Sequence, residues 1–67
     1  MRLIQVNGVI SSRHQGPDAL PQAKGLDRAF KVLEGFGYGA GPHISVIETH
    51  DEVYPYPNAT TLWENSR

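Results

Sequence analysis

The chain contains no cysteine, and this limits what can stabilise a protein of 67 residues. Disulfides and thiolate zinc sites are excluded, although small domains commonly depend on one or the other. A chain of this length buries about 60% of its unfolded surface, and its core supplies only ~3–5 kcal/mol of net stability. We therefore expect a single domain over residues 1–67 that covers its remaining apolar surface with a second copy or with another protein.

The charge of the chain argues against binding to nucleic acid. Six basic and seven acidic residues give a formal net charge of −1, whereas nucleic-acid-binding domains normally carry a basic patch. The acidic residues concentrate towards the C-terminus, since residues 43–67 hold four of them and a single arginine. No apolar run is long enough for a membrane span, and residues 1–7 are too polar for a signal peptide. We expect a cytoplasmic protein.

Asn7 and Gly8 lie between two apolar runs, over residues 2–6 and 9–13. Both central residues of a type I′ turn need a positive φ, which Asn tolerates and Gly adopts freely. The pattern predicts a β-hairpin with strands near 2–6 and 9–13. The alternative is one longer strand with a bulge at Gly8. Residues 14–17 contain Gly and Pro and are expected to form a loop.

An amphipathic helix is predicted after this loop. The apolar residues that mark its buried face recur every three or four positions: Leu20, Ala23, Leu26, Phe30 and Leu33. The helix begins either near Asp18, which would be its N-cap, or just after Pro21. It is expected to end at Gly35 or Gly37 in a left-handed conformation.

The polar residues of this helix are expected largely on its solvent side: Lys24, Asp27, Arg28, Lys31 and Glu34. Asp27 and Lys31 form an acid–base pair at i,i+4. Gly25 is unfavourable within a helix, and a close approach to the sheet would account for it. Ala29 and Val32 are expected to widen the apolar stripe.

Four glycines alternate with other residues over positions 35–42, which we interpret as a connector. A phosphate-binding loop would follow a strand and precede a helix, whereas this segment follows a helix and precedes a strand. Two interpretations of its aromatic residues stay open. Phe36 and Tyr38 pack over the edge of the core, or they form a mobile loop that closes on a ligand.

Residues 43–49 are rich in residues that favour strands and predict a central strand. Residues 50–52 are a polar turn. In the segment that follows, Pro55 and Pro57 remove backbone donors from one side only. Residues 53–57 are therefore expected to form an edge strand that carries both of its tyrosines on one face.

Residues 58–64 fit either a last strand or a helical turn capped by Asn58, and residues 65–67 are expected to fray. The order of the elements predicts an α+β fold, β-hairpin–α-helix–β-hairpin, with one helix packed on a mainly antiparallel sheet of three to five strands. The other face of the sheet is expected to be open or covered by a second copy.

A cluster of histidines and carboxylates is one candidate for chemistry. Its members are His43, Glu48, His50 and Asp51, and His14 joins them from the opposite loop. Such side chains bind zinc and other divalent metals. Ser11 or Ser12 with a histidine and Asp51 would supply a nucleophilic triad, but the chain has no Gly-x-Ser-x-Gly elbow. A small metal-dependent or ligand-binding enzyme is therefore the alternative function.

The aromatic residues support a different hypothesis, because tyrosine and tryptophan are enriched at protein interfaces. Together with an acidic neighbour, the predicted partner-binding residues are Tyr54, Tyr56, Trp63, Phe36, Tyr38 and Glu52. For Trp63, a place in the core is an equal alternative. We expect a small non-enzymatic interaction or regulatory module without a cofactor, which binds a protein partner or its own copies through an aromatic–acidic surface. From size alone, a phage or mobile-element accessory protein is a further hypothesis.

Overall fold

The computed structural model describes residues 1–65 of the chain. Within them lie four strands and one helix: β1 (Arg2–Val6), β2 (Val9–His14), α1 (Ala19–Gly35), β3 (Ile44–Glu48) and β4 (Thr60–Glu64). The strands form one antiparallel sheet in the order β2-β1-β3-β4, and α1 packs on one face of it. The predicted α+β fold of a hairpin, a helix and a second hairpin is confirmed.

The first hairpin has the predicted turn. Asn7 has a φ of 51° and Gly8 a φ of 79°, so both central residues are left-handed as a type I′ turn requires. Val6 pairs with Val9 directly beside the turn. The alternative of one long strand with a bulge at Gly8 is therefore wrong.

The topology places α1 over the middle of the sheet. β2 and β3 are both antiparallel to β1, so they run in the same direction with β1 between them. The helix connects them as the crossover of a split β-α-β unit. The helix begins beside the end of the sheet that holds Met1 and ends beside the turn at residues 7–8.

The core lies between α1 and the two central strands. Its fully or nearly buried members are Ile4, Ala19, Ala23, Ile44 and Val46, and the residues packed partly buried against them are Leu20, Leu26, Phe30 and Trp63. Neighbouring residues of a strand point to opposite faces. Leu3 and its cross-strand partner Ile47 therefore face away from α1, and they are also buried.

The helix begins at Ala19 with Asp18 in the N-cap position, although the Asp18 side chain makes no capping hydrogen bond. Its other end is a Schellman motif. Gly37 has a φ of 90° and donates its N–H to Glu34 O at 3.0 Å, while the N–H of Tyr38 donates to Leu33 O at 3.2 Å. The predicted left-handed glycine is thus Gly37.

The expectations for Ala29, Val32 and Gly25 are wrong. Ala29 and Val32 are exposed, because the sheet lies under the opposite side of the helix. A Cβ added at Gly25 would approach no atom of the sheet within 4 Å, and its nearest neighbour is Arg28 Nη2 at 3.8 Å. The close approach occurs instead at Gly41 in the connector, where a Cβ would lie 2.8 Å from Phe30 Cβ.

The predicted edge strand at residues 53–57 is wrong. This segment belongs to an irregular loop over residues 49–59, and the last strand is β4. Pro55 and Pro57 lack the N–H donors of a strand, whereas residues 60–64 have them and take the position beside β3. Residues 58–64 therefore contain a strand rather than a helical turn.

Each edge strand carries a bulge. In β2, Ile4 pairs with Ser12 and Gln5 with Ile10, which leaves Ser11 as the additional residue. In β4, the pairing passes from Trp63 to Thr61, which leaves Leu62 as the additional residue. Bulges at edges disfavour the addition of a further strand.

Gly41→Ala is expected to lower the free energy of unfolding by about 1–3 kcal/mol, the usual cost of overpacking. The added methyl would press on Phe30 Cβ, which is fixed to the helix backbone and has little room to move. Urea denaturation measures the change. Gly16→Ala, which meets no atom within 4 Å, is the control, and an equal loss in both variants would contradict the prediction.

Candidate functional site

The structure separates the aromatic residues that the sequence grouped into one surface. The N–H of Asn7 donates to His43 O at 2.8 Å at one end of the sheet, and the N–H of Thr49 donates to Met1 O at 2.9 Å at the other. Phe36 and Tyr38 lie near the first end, because the chain continues from them through the short connector to His43. The loop with Tyr54, Tyr56 and Glu52 belongs to the second. The two groups are a full strand length apart, so they do not form one surface.

Trp63 takes no part in either group. It lies on β4 opposite Val46 and packs half-buried against the core under α1. Its ring therefore helps to close the core on the β4 side, as in the alternative that the sequence left open.

The larger exposed apolar surface lies at the C-terminal end of α1. We call it the helix-end patch, and its members with their exposed fractions are Val32 (59%), Leu33 (42%), Phe36 (77%) and Tyr38 (78%). Val32 and Leu33 are i,i+4 and i,i+3 neighbours of Phe36, so their side chains are adjacent on the helix. The Schellman bond from the N–H of Tyr38 to Leu33 O brings the backbone of Tyr38 back to the last turn of α1. The two rings thus do not pack over the edge of the core.

The patch is exposed because the helix is longer than the sheet beneath it. The 17 residues of α1 rise about 26 Å, whereas the five residues of β3 extend about 17 Å. Phe30 is the last helical residue packed on the core. Leu33 continues the buried stripe in sequence, but at its position no strand lies below it.

The tyrosines at the opposite end are arranged differently. The rings of Tyr54 and Tyr56 contact edge to face, with centroids 5.9 Å apart and planes at 85°. Tyr54 is exposed, whereas Tyr56 is half-buried and its hydroxyl has no hydrogen-bond partner within residues 1–65. One ring therefore supports the other within the loop, which exposes two large apolar side chains, Val53 (77%) and Tyr54 (71%), against four in the helix-end patch.

Asp51 organises this loop. Its carboxylate accepts hydrogen bonds from the N–H of Asn58 at 3.1 Å and from Thr49 Oγ1 at 3.1 Å, and Asn58 Nδ2 approaches at 3.4 Å. These donors, the Asn58 backbone first, hold the pKa of Asp51 below its usual value, and the neighbouring His50 adds to the effect. The carboxylate thus joins the two ends of a long loop.

A partly open cleft of about 380 Å³ lies beside this loop. Its lining consists of Met1, Gln15, Thr49, His50, Asp51 and Glu52. The lining of the cleft is mainly polar, and the Asp51 carboxylate is already hydrogen-bonded to Asn58 and Thr49. It offers hydrogen bonds but little apolar contact.

The proposed metal ligands do not converge. His43 lies at the opposite end of β3 from His50, and its Nε2 is 3.1 Å from Glu64 Oε2. Glu48 accepts a hydrogen bond from Arg2 Nε at 3.1 Å. Within the described residues, no group of three His, Asp or Glu side chains is placed to hold a metal ion.

The serine and histidine of the proposed triad do meet. Ser12 Oγ and His14 Nε2 are 2.8 Å apart, as residues two apart on one strand face allow. Asp51 is not their third member, since it bonds Thr49 and Asn58. No carboxylate is hydrogen-bonded to His14 in residues 1–65, so the pair lacks the group that orients a catalytic histidine.

Sequence reasoning missed a buried polar cluster between α1 and the end of β4. Asp27, expected towards solvent, is 5% exposed, and Asn65, expected to fray, is 6% exposed. Asn65 Nδ2 donates to Asp27 Oδ1 at 2.9 Å and to Pro42 O at 3.0 Å, while its Oδ1 accepts from the N–H of Ile44 at 2.9 Å. The predicted Asp27–Lys31 ion pair is confirmed at 3.1 Å. Residues 66–67, also expected to fray, lie outside the described part.

Comparison with protein-family models, with curated proteins and with solved structures finds no match to this chain. Over residues 1–65, no helix has both the length and the apolar character needed to cross a membrane. The function must therefore be argued from the surface itself.

Asn65→Ala is expected to lower the free energy of unfolding by about 1–3 kcal/mol, because it leaves Asp27, Ile44 N–H and Pro42 O without their buried partner. Asn58→Ala removes a surface amide and is the matched control. Chemical denaturation of both variants measures the difference. A smaller loss for Asn65→Ala than for Asn58→Ala would show that the cluster is not what holds α1 to β4.

The lowered pKa of Asp51 predicts an acid-dependent stability. A carboxyl group whose folded pKa is below its unfolded pKa stabilises the fold above the unfolded value of 3.8, and this contribution is lost as the pH falls towards the folded pKa. The difference in melting temperature between wild type and Asp51→Asn should therefore shrink below about pH 4. Thermal unfolding from pH 2 to 7 measures it, with exposed Glu52→Gln as the control. A constant difference would exclude this role of the carboxylate.

Proposed function

We propose that the protein is a small non-enzymatic interaction module that binds another protein through the helix-end patch. The observation that carries the proposal is the pair of aromatic rings directly after the projecting end of α1, Phe36 and Tyr38, which are more than three-quarters exposed. Aromatic side chains form the energetic centre of many protein interfaces. A cytoplasmic location and an oligomeric state belong to the same proposal.

The size of the patch supports a protein as the partner. An aromatic side chain presents roughly 150–250 Å², so the four side chains together offer on the order of 500 Å² of apolar surface. This is about a tenth of the 4528 Å² surface of the described chain, which is the share that a standard protein interface occupies on a small protein. A convex helix end of this kind fits a groove or flat face rather than a small molecule, which needs a concave site.

The enzymatic alternative has weaker support. Its residues lie in two places, with His43 at one end of β3 and His50 and Asp51 at the other. Asp51 and Glu48 are occupied by Asn58 and Arg2, respectively. The four residues of the helix-end patch, in contrast, fall between positions 32 and 38 at one end of α1, and all four are exposed.

Site-specific photocrosslinking tests the proposal. A benzoylphenylalanine at position 36 is expected to form a discrete adduct in the native host, whereas the same group at Tyr54, equally exposed at the opposite end, is expected to form none. Excess wild-type chain should compete the adduct away, and excess Phe36→Ser chain should not. Equal adducts from both positions, or none from position 36, would contradict the proposal.

A further inference from the structure

We infer that the partner of the helix-end patch is a second copy of this chain, bound about a twofold axis. The inference rests on the proposed function and names its partner. In such a dimer the same surface of each copy covers the other, so each residue of the patch faces the patch of its neighbour.

The charge of the surface favours a second copy over an unlike protein. All four members of the patch are uncharged. Charges of both signs border the patch on α1: Arg28, one turn before Val32, and Glu34 are exposed, and Lys31 is paired with Asp27 at 3.1 Å. Interfaces between unlike proteins commonly use complementary charges to select the partner, and a patch without charge offers no such selection. A symmetric contact, however, needs a surface that does not repel itself.

The whole molecule also permits self-association. Its formal net charge of −1 produces little repulsion between copies. The available area agrees as well. The patch offers on the order of 500 Å² of apolar surface. A stable interface buries about 800 Å² per partner, which these side chains and their polar rim can supply.

The geometry of the fold indicates which surfaces meet. Both edge strands carry bulges, at Ser11 and at Leu62, so a dimer that continues the sheet is disfavoured. The end of α1 projects past the strands instead, and two such ends can pack side by side without a clash between the sheets. The contact would place Val32 and Phe36 at the centre, with Tyr38 at its margin.

Charge complementation at Val32 tests this arrangement. Purified wild-type chain is expected to sediment as a dimer, with twice the 7.4 kDa of one chain, at micromolar concentration. Val32→Glu and Val32→Lys alone should each weaken self-association by at least ~30-fold, the effect of losing one central side chain at an interface. An equimolar mixture of the two variants should recover a dimer, because the opposite charges meet across the twofold axis.

Val53 supplies the matched control. It is also an exposed valine but lies in the loop at the opposite end, so Val53→Glu and Val53→Lys should leave the dimer unchanged. Circular dichroism verifies that each variant is folded. If a Val32 variant unfolds, a second experiment replaces the charge complementation. The purified chain with benzoylphenylalanine at position 36 is crosslinked, and a covalent dimer is the expected product.

Three results would overturn the inference: a wild-type chain that stays monomeric up to about 200 µM, a mixture that stays monomeric, or equal losses from Val32 and Val53 substitutions. The inference and the proposed function fail separately. A monomeric chain that still forms a specific adduct with another protein through position 36 would refute the second copy alone. A monomeric chain with no adduct would refute both.

Discussion

The difference in length between α1 and the strands beneath it governs much of this structure. A helix of 17 residues rises about 26 Å, and a strand of five residues extends about 17 Å, so the sheet can cover only part of the helix. The early turns bury Ala19 and Ala23 completely, whereas the last turns carry their apolar residues into solvent. The connector then returns along α1, and at position 41 it passes so close to Phe30 that only glycine fits. The core, the exposed patch and the tight connector thus share one geometric cause.

Polar contacts hold α1, the connector and the loop over residues 49–59 in place. Asn65 joins α1, the connector and β3 through its side chain, because one amide meets Asp27, Pro42 and Ile44. A buried carboxylate is unfavourable unless it is hydrogen-bonded and paired. Asp27 accepts a hydrogen bond from Asn65 and forms an ion pair with Lys31. Asp51 closes the loop over residues 49–59 in a comparable way at the surface. The flank beside β4 is therefore fixed by specific side-chain hydrogen bonds.

The sequence predicted the elements whose signals are local. Asn7 and Gly8 define their turn by their own backbone preferences, the period of Ala23, Leu26 and Phe30 defines the buried face of α1, and Gly37 ends it. The errors concern relations between distant residues. Asp27 follows Leu26 at the border of the apolar stripe. No local sequence pattern predicts its hydrogen bond with Asn65, 38 positions later. Whether Leu33 is buried depends on strand length rather than on helical period. Residues 53–57 have side chains that favour strands, but the edge of β3 can pair with one segment only, and residues 60–64 pair with it instead.

The distribution of exposed groups favours the proposed binding surface over apolar surface that a short chain merely fails to bury. A chain limited by size alone would leave backbone edges and side chains exposed without pattern. Here Ser11 and Leu62 interrupt both outer edges, and backbone edges are the surfaces on which association is least specific, since any strand can pair with them. Four of the eight exposed large apolar side chains of residues 1–65 lie instead in one place, at the C-terminal end of α1 and just beyond it, where shape decides what can bind. A chain without disulfides gains stability from whatever binds its folded state. The proposed interaction would therefore couple binding and folding of this chain through Phe36 and Tyr38.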